Sequence, residues 1–257
     1  EETRMKVLRV LMIVLVVGLP ALGGGEVIQA AGSRLAAGHD SSGVTRTVAY
    51  GINAQGDIVG TYYDSTGSHG FLRHRGTYTT IDGPNGAKGS AAYGINAQGD
   101  IVGYYYDSTG RHGFVLHKGV YTIIEDPNGV KDSAASGINS QGDLVGSYSD
   151  ATRTSHGFLW HKGAFATIDD PKGVRGTGAD GINDHGDIVG HYYDGTGVHG
   201  FLRHKGAYIT LDDPKGSQGT FAHGINAKGD IVGYYEDGAG AHGFLLHKGV
   251  YTTLDWH

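Results

Sequence analysis

The sequence contains no cysteine and only five prolines in 257 residues. The absence of cysteine excludes disulfide bonds and thiolate metal sites, so stability has to come from packing. The chain also has no run of lysine or arginine, and its formal net charge is −6. Because neutralising phosphates requires clustered cations, we expect no nucleic-acid partner. No apolar stretch reaches the roughly 20 residues that a membrane-spanning helix needs.

The N-terminal segment has the pattern of an export signal. Lys6 and Arg9 precede an apolar run at residues 10–22, and small residues follow at 23–25 and 30–31. A run of this length fits the hydrophobic core of a signal peptide better than a membrane span. The pattern therefore predicts a secreted or periplasmic protein with no stable membrane span after signal cleavage.

This pattern also sets the predicted domain boundaries at the N-terminus. We predict that residues 1–31 are a signal peptide with upstream residues and that residues 32–44 are a linker. Cleavage could follow Gly23, Ala30 or Ala31, which lie in these stretches of small residues. The alternative is an uncleaved signal anchor.

Glycine is the residue in excess, with 47 copies, and part of this excess is periodic. The triplet Gly-Ile-Asn recurs with spacings of 43, 43, 44 and 43 residues. Its five copies start at Gly51, Gly94, Gly137, Gly181 and Gly224. A period in this range indicates a solenoid, a propeller or an array of similar units.

Each repeat contains four short strand-like segments. In the second repeat they read SAAYGIN, DIVGYYYD, HGFVLHK and VYTIIED. These segments are rich in Val, Ile, Tyr, Phe and Thr, which favour strands, and none has a convincing helical stripe. Three tight connections are followed by one longer crossover, which is typical of a four-stranded meander.

The repeats predict an all-β protein, a five-bladed β-propeller with four antiparallel strands per blade. The predicted propeller covers residues 45–257, and the predicted repeats are about 45–88, 89–131, 132–175, 176–218 and 219–257. All five blades are complete in sequence order, so we expect blade five to pack on blade one without a strand exchanged between the chain ends. A parallel β-helix is the structural alternative.

Two periodic glycines are expected at points of close packing. Gly51 and its counterparts should lie on the crowded inner strands, where a Cβ would collide with the next blade. Gly60 and its counterparts should lie in mid-strand, where a neighbouring blade approaches closely.

The motif HGFL..KG, which follows GIN..GDIVG, resembles the extracellular HAF-repeat family of bacterial proteins. The family takes its name from a recurring His-Ala-Phe, whereas every copy here reads His-Gly-Phe. The resemblance covers about residues 45–257. It implies export and repetition, and it implies no activity for particular residues.

One end of each blade carries a recurring tyrosine, aspartate and histidine. In the first repeat we expect Asp64 to lie opposite His69 and Tyr62 to lie opposite Phe71. The full set of candidate ligand-binding residues is Tyr62, Asp64, His69, Tyr105, Asp107, His112, Tyr148, Asp150, His156, Tyr192, Asp194, His199, Tyr235, Asp237 and His242. The fourth strand brings a carboxylate to the same end, at Asp82, Glu125, Asp169 and Asp212.

Aromatic rings beside carboxylates and imidazoles are typical of a sugar-binding cleft, since the ring can stack on a sugar while the polar groups bind its hydroxyls. The alternative is structural: the aspartate and histidine fasten the hairpin and the tyrosine packs between blades. Both interpretations fit the sequence.

At the opposite end, Asn53, Asp57 and His74 also recur in every repeat. We expect the asparagine to close its turn and the aspartate to bond the histidine across the hairpin. No metal site and no cofactor are predicted. Within a blade His69 and His74 lie at opposite ends of one strand and cannot share an ion.

The repeats differ at the residue before Gly-Ile-Asn, which is Tyr50, Tyr93, Ser136, Asp180 and His223 in turn. These side chains should approach the axial opening. Nearby, His191 replaces threonine, tyrosine or serine, and Glu236 replaces tyrosine or serine. Catalysis needs unlike groups at one point, so Asp180, His191 and His223 are the weak candidates for a catalytic site. Neutral drift between duplicated blades is the alternative.

These patterns favour an exported binding module, a multivalent, lectin-like propeller for a glycan or another hydroxyl-rich extracellular ligand. A glycan-active hydrolase or lyase at the axial funnel is a second hypothesis, resting on fold-level analogy. A structural or protein-interaction propeller is a third. The sequence favours a binding protein over an enzyme, because the repeat supplies no distinct acid and base pair of the kind that glycoside hydrolysis uses.

Overall fold

The computed structural model describes residues 28–29, 43–84, 87–125 and 132–255. These residues form strands and turns and contain no helix, so none of them forms a helix that could cross a membrane. The predicted signal peptide and linker lie outside the described residues, apart from Ile28, Gln29 and the short stretch that begins at Gly43.

The fold is the predicted propeller of five antiparallel blades, each a meander in sequence order. Blade one contains β2 (Arg46–Ile52), β3 (Ile58–Tyr63), β4 (Ser68–His74) and β5 (Thr77–Ile81). Blade two contains β6 (Gly89–Ile95), β7 (Ile101–Tyr106), β8 (Arg111–His117) and β9 (Val120–Ile124). Blade three contains β10 (Ser133–Ile138), β11 (Leu144–Ser149), β12 (Ser155–His161) and β13 (Ala164–Thr167). Blade four contains β14 (Gly176–Ile182), β15 (Ile188–Tyr193), β16 (Val198–His204) and β17 (Ala207–Leu211). Blade five contains β18 (Gly219–Ile225), β19 (Ile231–Asp237), β20 (Gly240–His247) and β21 (Val250–Thr253).

The hairpin between the third and fourth strands of each blade turns through a basic residue and a glycine. In blade two these are Lys118, with φ of 47°, and Gly119, with φ of 83°. Two successive residues in the left-handed region form the turn whose twist matches that of the flanking strands. The Lys-Gly and Arg-Gly pairs of the repeat therefore fix the register of the outer strands.

Four apolar clusters fill the interfaces between consecutive blades, from blades one and two to blades four and five. The cluster between blades one and two, for example, joins Val59 and Ile81 to Ala92, Tyr105 and Phe114. The core is therefore a series of layers between sheets. Each layer is built from the same positions of the repeat.

The seam between blades five and one is packed differently. Among the described residues each blade takes its four main strands from one continuous segment, and a further strand, β1 (Ile28–Gln29), pairs with β2 and contacts β18. In blade five, Val232 and Leu254 are only half-buried. Their counterparts in the other blades are buried: Val59, Val102, Val145, Val189, Ile81, Ile124, Ile168 and Leu211. The expected packing of blade five on blade one thus lacks the apolar cluster that the described residues form at the other interfaces.

The inner-strand glycines lie where they were predicted. A Cβ on Gly51 would lie 2.8 Å from the carbonyl oxygen of Tyr93, in the next blade. Gly60 also lies at a point of close packing, but the prediction that a neighbouring blade approaches it was wrong. A Cβ there would lie 2.0 Å from the carbonyl oxygen of Val48, in the same blade, because the inner strand bulges towards its neighbour at this point.

Candidate functional site

Every inner strand carries a β-bulge at the residue before Gly-Ile-Asn. In blade four, Ala179 pairs with Gly190 and Gly181 pairs with Val189, which leaves Asp180 outside the ladder. The same shift occurs in the other blades and leaves Tyr50, Tyr93, Ser136 and His223 outside their ladders. Bulges re-aim a side chain. Because neighbouring inner strands contact one another, the bulges gather five side chains of four types around the axis.

The structure brings the three weak catalytic candidates together. His191 Nδ1 lies 2.8 Å from Asp180 Oδ2, and His223 Nδ1 lies 3.7 Å from the same oxygen. The three side chains are 19%, 17% and 23% exposed for His191, Asp180 and His223. A carboxylate shared by two imidazoles thus lies in a partly desolvated position with residual access to solvent.

A glycine in blade four makes room for this cluster. A Cβ on Gly178 would lie 2.9 Å from His191 Cε1 and 3.1 Å from its Nε2. The corresponding residues of the other blades all have a Cβ: Val48, Ala91, Ala134 and Phe221. Blade four therefore combines an imidazole, its carboxylate partner and the space for the ring. Three mutually fitting differences favour a built site over independent drift.

The three groups hold different charges. Burial opposes ionisation of Asp180, but His191 and His223 hold the pKa of its carboxyl below the usual value. Burial also opposes the charge on His191, yet the charge and hydrogen bond of Asp180 raise its pKa. For His223, burial lowers the pKa and Asp180 does not reverse this. The surroundings thus favour the charged forms of Asp180 and His191 and the neutral form of His223, an arrangement that can both donate and accept hydrogen bonds.

Aromatic rings line the axis on both sides of this cluster. In blade five the Tyr234 ring stacks on His223, with centroids 5.4 Å apart, and on Phe221 at 4.6 Å. Across blades one and two, Tyr50 meets Tyr93 edge-on at 4.9 Å, and Tyr93 meets Tyr104 at 5.4 Å. The sequence analysis named Tyr50 and Tyr93 but missed Tyr104 and Tyr234, because their position matters only once the bulge is known.

These tyrosines remain protonated at neutral pH. Burial, reinforced by neighbouring tyrosines, raises the pKa of Tyr50 to about 12. Burial and the charge of Glu236 raise the pKa of Tyr234 to about 12. Each phenol is thus available as a hydrogen-bond donor beside an apolar ring. This combination suits a ligand that has both hydroxyls and apolar faces.

The register of the recurring Tyr, Asp and His set differs from the prediction. Tyr62 lies opposite His69, and Phe71 lies opposite Gly60. Asp64 lies outside the ladder because its N–H donates to the carbonyl of Gly67 and its side chain accepts from Thr66, closing a turn. The expected pairing was therefore wrong by two residues. A shift of two leaves each side chain on its predicted face.

Within each set the polar groups bind one another. In blade two, His112 Nδ1 contacts Glu125 at 2.5 Å and its Nε2 contacts Asp107 at 3.0 Å, while its ring stacks on Tyr105 at 5.1 Å. The fourth-strand carboxylates bind the histidines of the other blades in the same way, and Asp255, which the sequence analysis did not name, completes blade five.

The tyrosines of four of these sets are buried. They are Tyr105, Tyr148, Tyr192 and Tyr235, which are 2% to 6% exposed. Since each ring stacks on its histidine and packs between blades, stacking on a sugar would require the blade interface to open. This geometry favours fastening over ligand binding at the recurring set.

The opposite end of each blade is fastened as predicted. In blade one, Asn53 Oδ1 accepts from the N–H groups of Gln55 and Asp57, and His74 Nδ1 lies 2.5 Å from Asp57 Oδ1. The asparagine also donates to the carbonyl of Asn96 in the next blade at 3.1 Å. Equivalent bonds continue from Asn96, Asn139 and Asn183, and they form an asparagine ladder that links all five blades.

Among residues 43–84, 87–125 and 132–255, no three His, Asp or Glu side chains are grouped so that they could hold one metal ion. The axial cluster has two imidazoles and one carboxylate, of which His191 and the Asp180 carboxylate already bind each other at 2.8 Å.

His156 should make stability depend on pH. The charges and hydrogen bonds of Asp169 and Asp150 overcome burial and raise the pKa of His156, so its contribution is complete below the usual value of about 6.5 and is lost at higher pH. Hydrogen bonds from Thr152 and Thr154 lower the pKa of Asp150 to about 2, so its contribution is lost only in acid. We expect a higher urea midpoint at pH 5.5 than at pH 8.5, and a smaller difference in His156→Gln. An unchanged difference in the variant would show that this proton does not stabilise the fold.

No family model matches the chain, and no curated protein matches it, so the resemblance to the HAF repeat stays a prediction. Solved propellers do match in fold. The chain is similar to TolB from Acinetobacter baumannii, with a TM-score of 0.61, 10% identity, and coverage of 91% of this chain and 64% of that one. It is also similar to virginiamycin B lyase from Staphylococcus aureus, with a TM-score of 0.51, 16% identity, and coverage of 80% and 68%. A third match is the propeller domain of the Trilobed protease from Pyrococcus furiosus, described as having an open velcro topology, with a TM-score of 0.53, 11% identity, and coverage of 88% and 80%.

The chain thus spans about two thirds of the TolB and lyase chains that it matches. At these identities the likeness is one of fold, and the matched proteins have different functions. The chain is a five-bladed β-propeller, and its axial residues differ between the blades.

Proposed function

We propose that the chain is a binding propeller with one axial site for a carbohydrate or another hydroxyl-rich ligand. The observation that carries this proposal is the meeting of Asp180, His191 and His223 beside the Tyr234 ring. The carboxylate and the neutral imidazole can accept hydrogen bonds from sugar hydroxyls, while the ring offers an apolar face. Together with the predicted export signal, this suggests that the ligand is met outside the cytoplasm.

A single axial site differs from the multivalent clefts predicted from the repeat. The internal bonding of the recurring Tyr, Asp and His set supports the axial site, because a ligand at those clefts would have to displace existing partners. The two proposals differ in stoichiometry. Axial binding gives one ligand per chain, whereas the clefts would give up to five.

The test is a glycan-array screen of the whole chain, followed by titration calorimetry on the strongest hit. We expect one site per chain and a loss of about tenfold or more in affinity for Asp180→Asn, since one charged hydrogen-bonding group is removed. Asp187→Asn is the matched control, because Asp187 also pairs with a histidine of blade four, His204, at 2.6 Å but in the hairpin fastening. This control should bind as the wild type does.

Other outcomes have clear meanings. Several sites per chain, lost in steps as the blade tyrosines are changed, would restore the multivalent clefts. The absence of any hit would favour a structural or protein-interaction propeller.

A glycan-active lyase or hydrolase is the second candidate function. The observation in its favour is that a charged and a neutral imidazole, His191 and His223, share one carboxylate and could serve as acid and base. Because glycoside hydrolysis ordinarily uses two carboxyl groups, the arrangement fits a lyase better. Prolonged incubation of any bound glycan with the protein, followed by mass spectrometry, separates binding from cleavage.

A further inference from the structure

Arg46 is a half-buried guanidinium without an acidic partner among the residues that the structure describes. Its Nε is buried and forms no hydrogen bond within the described part of the chain. Its guanidinium lies 5.1 Å from the ring centre of Tyr63, which is its partner across the β2–β3 pairing. A partly desolvated cation without a counter-charge gains from pairing with an anion, so the geometry leaves this group available to one.

Arg46 belongs to the wall of the axial site. It begins β2, the strand whose bulge residue is Tyr50, and its charge lowers the pKa of Tyr50 against the larger effect of burial. The Thr61 hydroxyl, 1% exposed, also has no hydrogen-bond partner in the described part of the chain. Thr61 and Tyr63 project from the same face of β3 because they are two residues apart. Two unsatisfied polar groups therefore occur in the blade-one wall.

The wall formed by blades four and five carries negative charge. Besides burial, the charges of Asp180 and Glu236 raise the pKa of Tyr193 and of Tyr234. An anionic group would be repelled by this wall and attracted to blade one. The other axial guanidinium, Arg111, already pairs with Asp132 at 2.8 Å. Among the described residues, Arg46 is thus a guanidinium of this opening that no carboxylate neutralises.

We infer that the axial ligand is an acidic carbohydrate, whose carboxylate docks on Arg46 beside Tyr63 while its hydroxyls face Asp180 and His191. The planar fork of arginine matches a carboxylate in geometry and charge. The walls of opposite charge would fix which way round the sugar lies. This inference rests on the axial site proposed above and adds the class of its ligand.

The test compares uronate oligosaccharides with their neutral counterparts of equal length, as pairs on one array and then in calorimetry. We expect the wild type to prefer the acidic member of a pair by about tenfold, as one charge-assisted contact would give. Arg46→Gln should reduce this preference to near unity, and Arg46→Lys should keep part of it. Raising the salt concentration should weaken binding of the acidic probe alone.

Arg73→Gln is the matched control, since Arg73 on β4 also lies over a tyrosine at 5.8 Å, but this tyrosine, Tyr78, is on the outer strand β5 and is 62% exposed. Equal affinity of the wild type for acidic and neutral probes would overturn the inference and leave the axial site standing. If a folded Arg46→Gln protein kept the preference for the acidic probe, the inference about Arg46 would also be overturned. If the wild type binds neither member of any pair, the proposed function itself fails.

Discussion

Replacing Gly103 by alanine should destabilise the fold by about 4 kcal/mol or more, enough to prevent folding of many domains. A Cβ at this position would lie 2.0 Å from the carbonyl oxygen of Ala91 and 3.1 Å from the Cα of Ala92. Both are backbone atoms of the neighbouring strand, so no side-chain rotation can relieve the contact. The ladder would have to separate next to the bulge. Soluble yield and urea unfolding measure the loss.

Gly195→Ala is the control for this change. No atom lies within 4 Å of the Cβ that this substitution would add, and Gly195 is not among the glycines with positive φ. We expect its free energy of unfolding to stay within about 0.5 kcal/mol of the wild type. A Gly103→Ala protein as stable as this control would mean that β6 and β7 of blade two do not approach each other as closely as described.

Replacing Asn96 by alanine should cost about 3 to 4 kcal/mol, the second largest effect that we predict. Asn96 is fully buried. Its side chain accepts from the N–H groups of Gln98 and Asp100, and it donates to the Asp100 carboxylate and to the carbonyl of Asn139 in blade three. Alanine would leave these partners unsatisfied within the structure. Urea unfolding followed by circular dichroism measures the change.

The last asparagine of the ladder supplies the comparison. Asn226 accepts from Lys228 and Asp230 and donates to the Asp230 carboxylate, but among the described residues it has no bond to a following blade. Asn226 is also half-buried, so Asn226→Ala should cost less than Asn96→Ala by at least about 1 kcal/mol, the net value of one hydrogen bond. Equal losses would assign the stabilisation to the turn alone and none to the link between blades.

Much of the fold could be predicted because the same sequence pattern occurs five times. The spacing of Gly-Ile-Asn gave the number of blades, and the bonds made by Asn53 and Asp57 followed from ordinary turn chemistry. The bulge could not be predicted, because it is a slip in backbone pairing that no side-chain pattern announces. The register of the Tyr62 hairpin was wrong because Asp64 turned out to belong to the loop and not to the strand.

The axial site was partly predictable for a different reason. Asp180, His191 and His223 were noticed because they differ from their counterparts, and difference between copies is visible in a sequence. The role of Gly178 could not be predicted, because the chain contains many glycines and only the structure shows that the His191 ring packs against this one. Arg46 was also missed, because its lack of a partner is a property of the folded surroundings alone.

Because of the bulge, the pairing of the strands in a blade does not depend on which side chain that blade presents at the axis. Because the bulged residue makes no ladder pair, its identity can change from tyrosine to serine, aspartate or histidine while the strands beside it keep their register. The propeller therefore has five positions at the axis where the residue can be substituted. Evolution, or a protein engineer, can therefore rewrite the axial chemistry one blade at a time without redesigning the propeller.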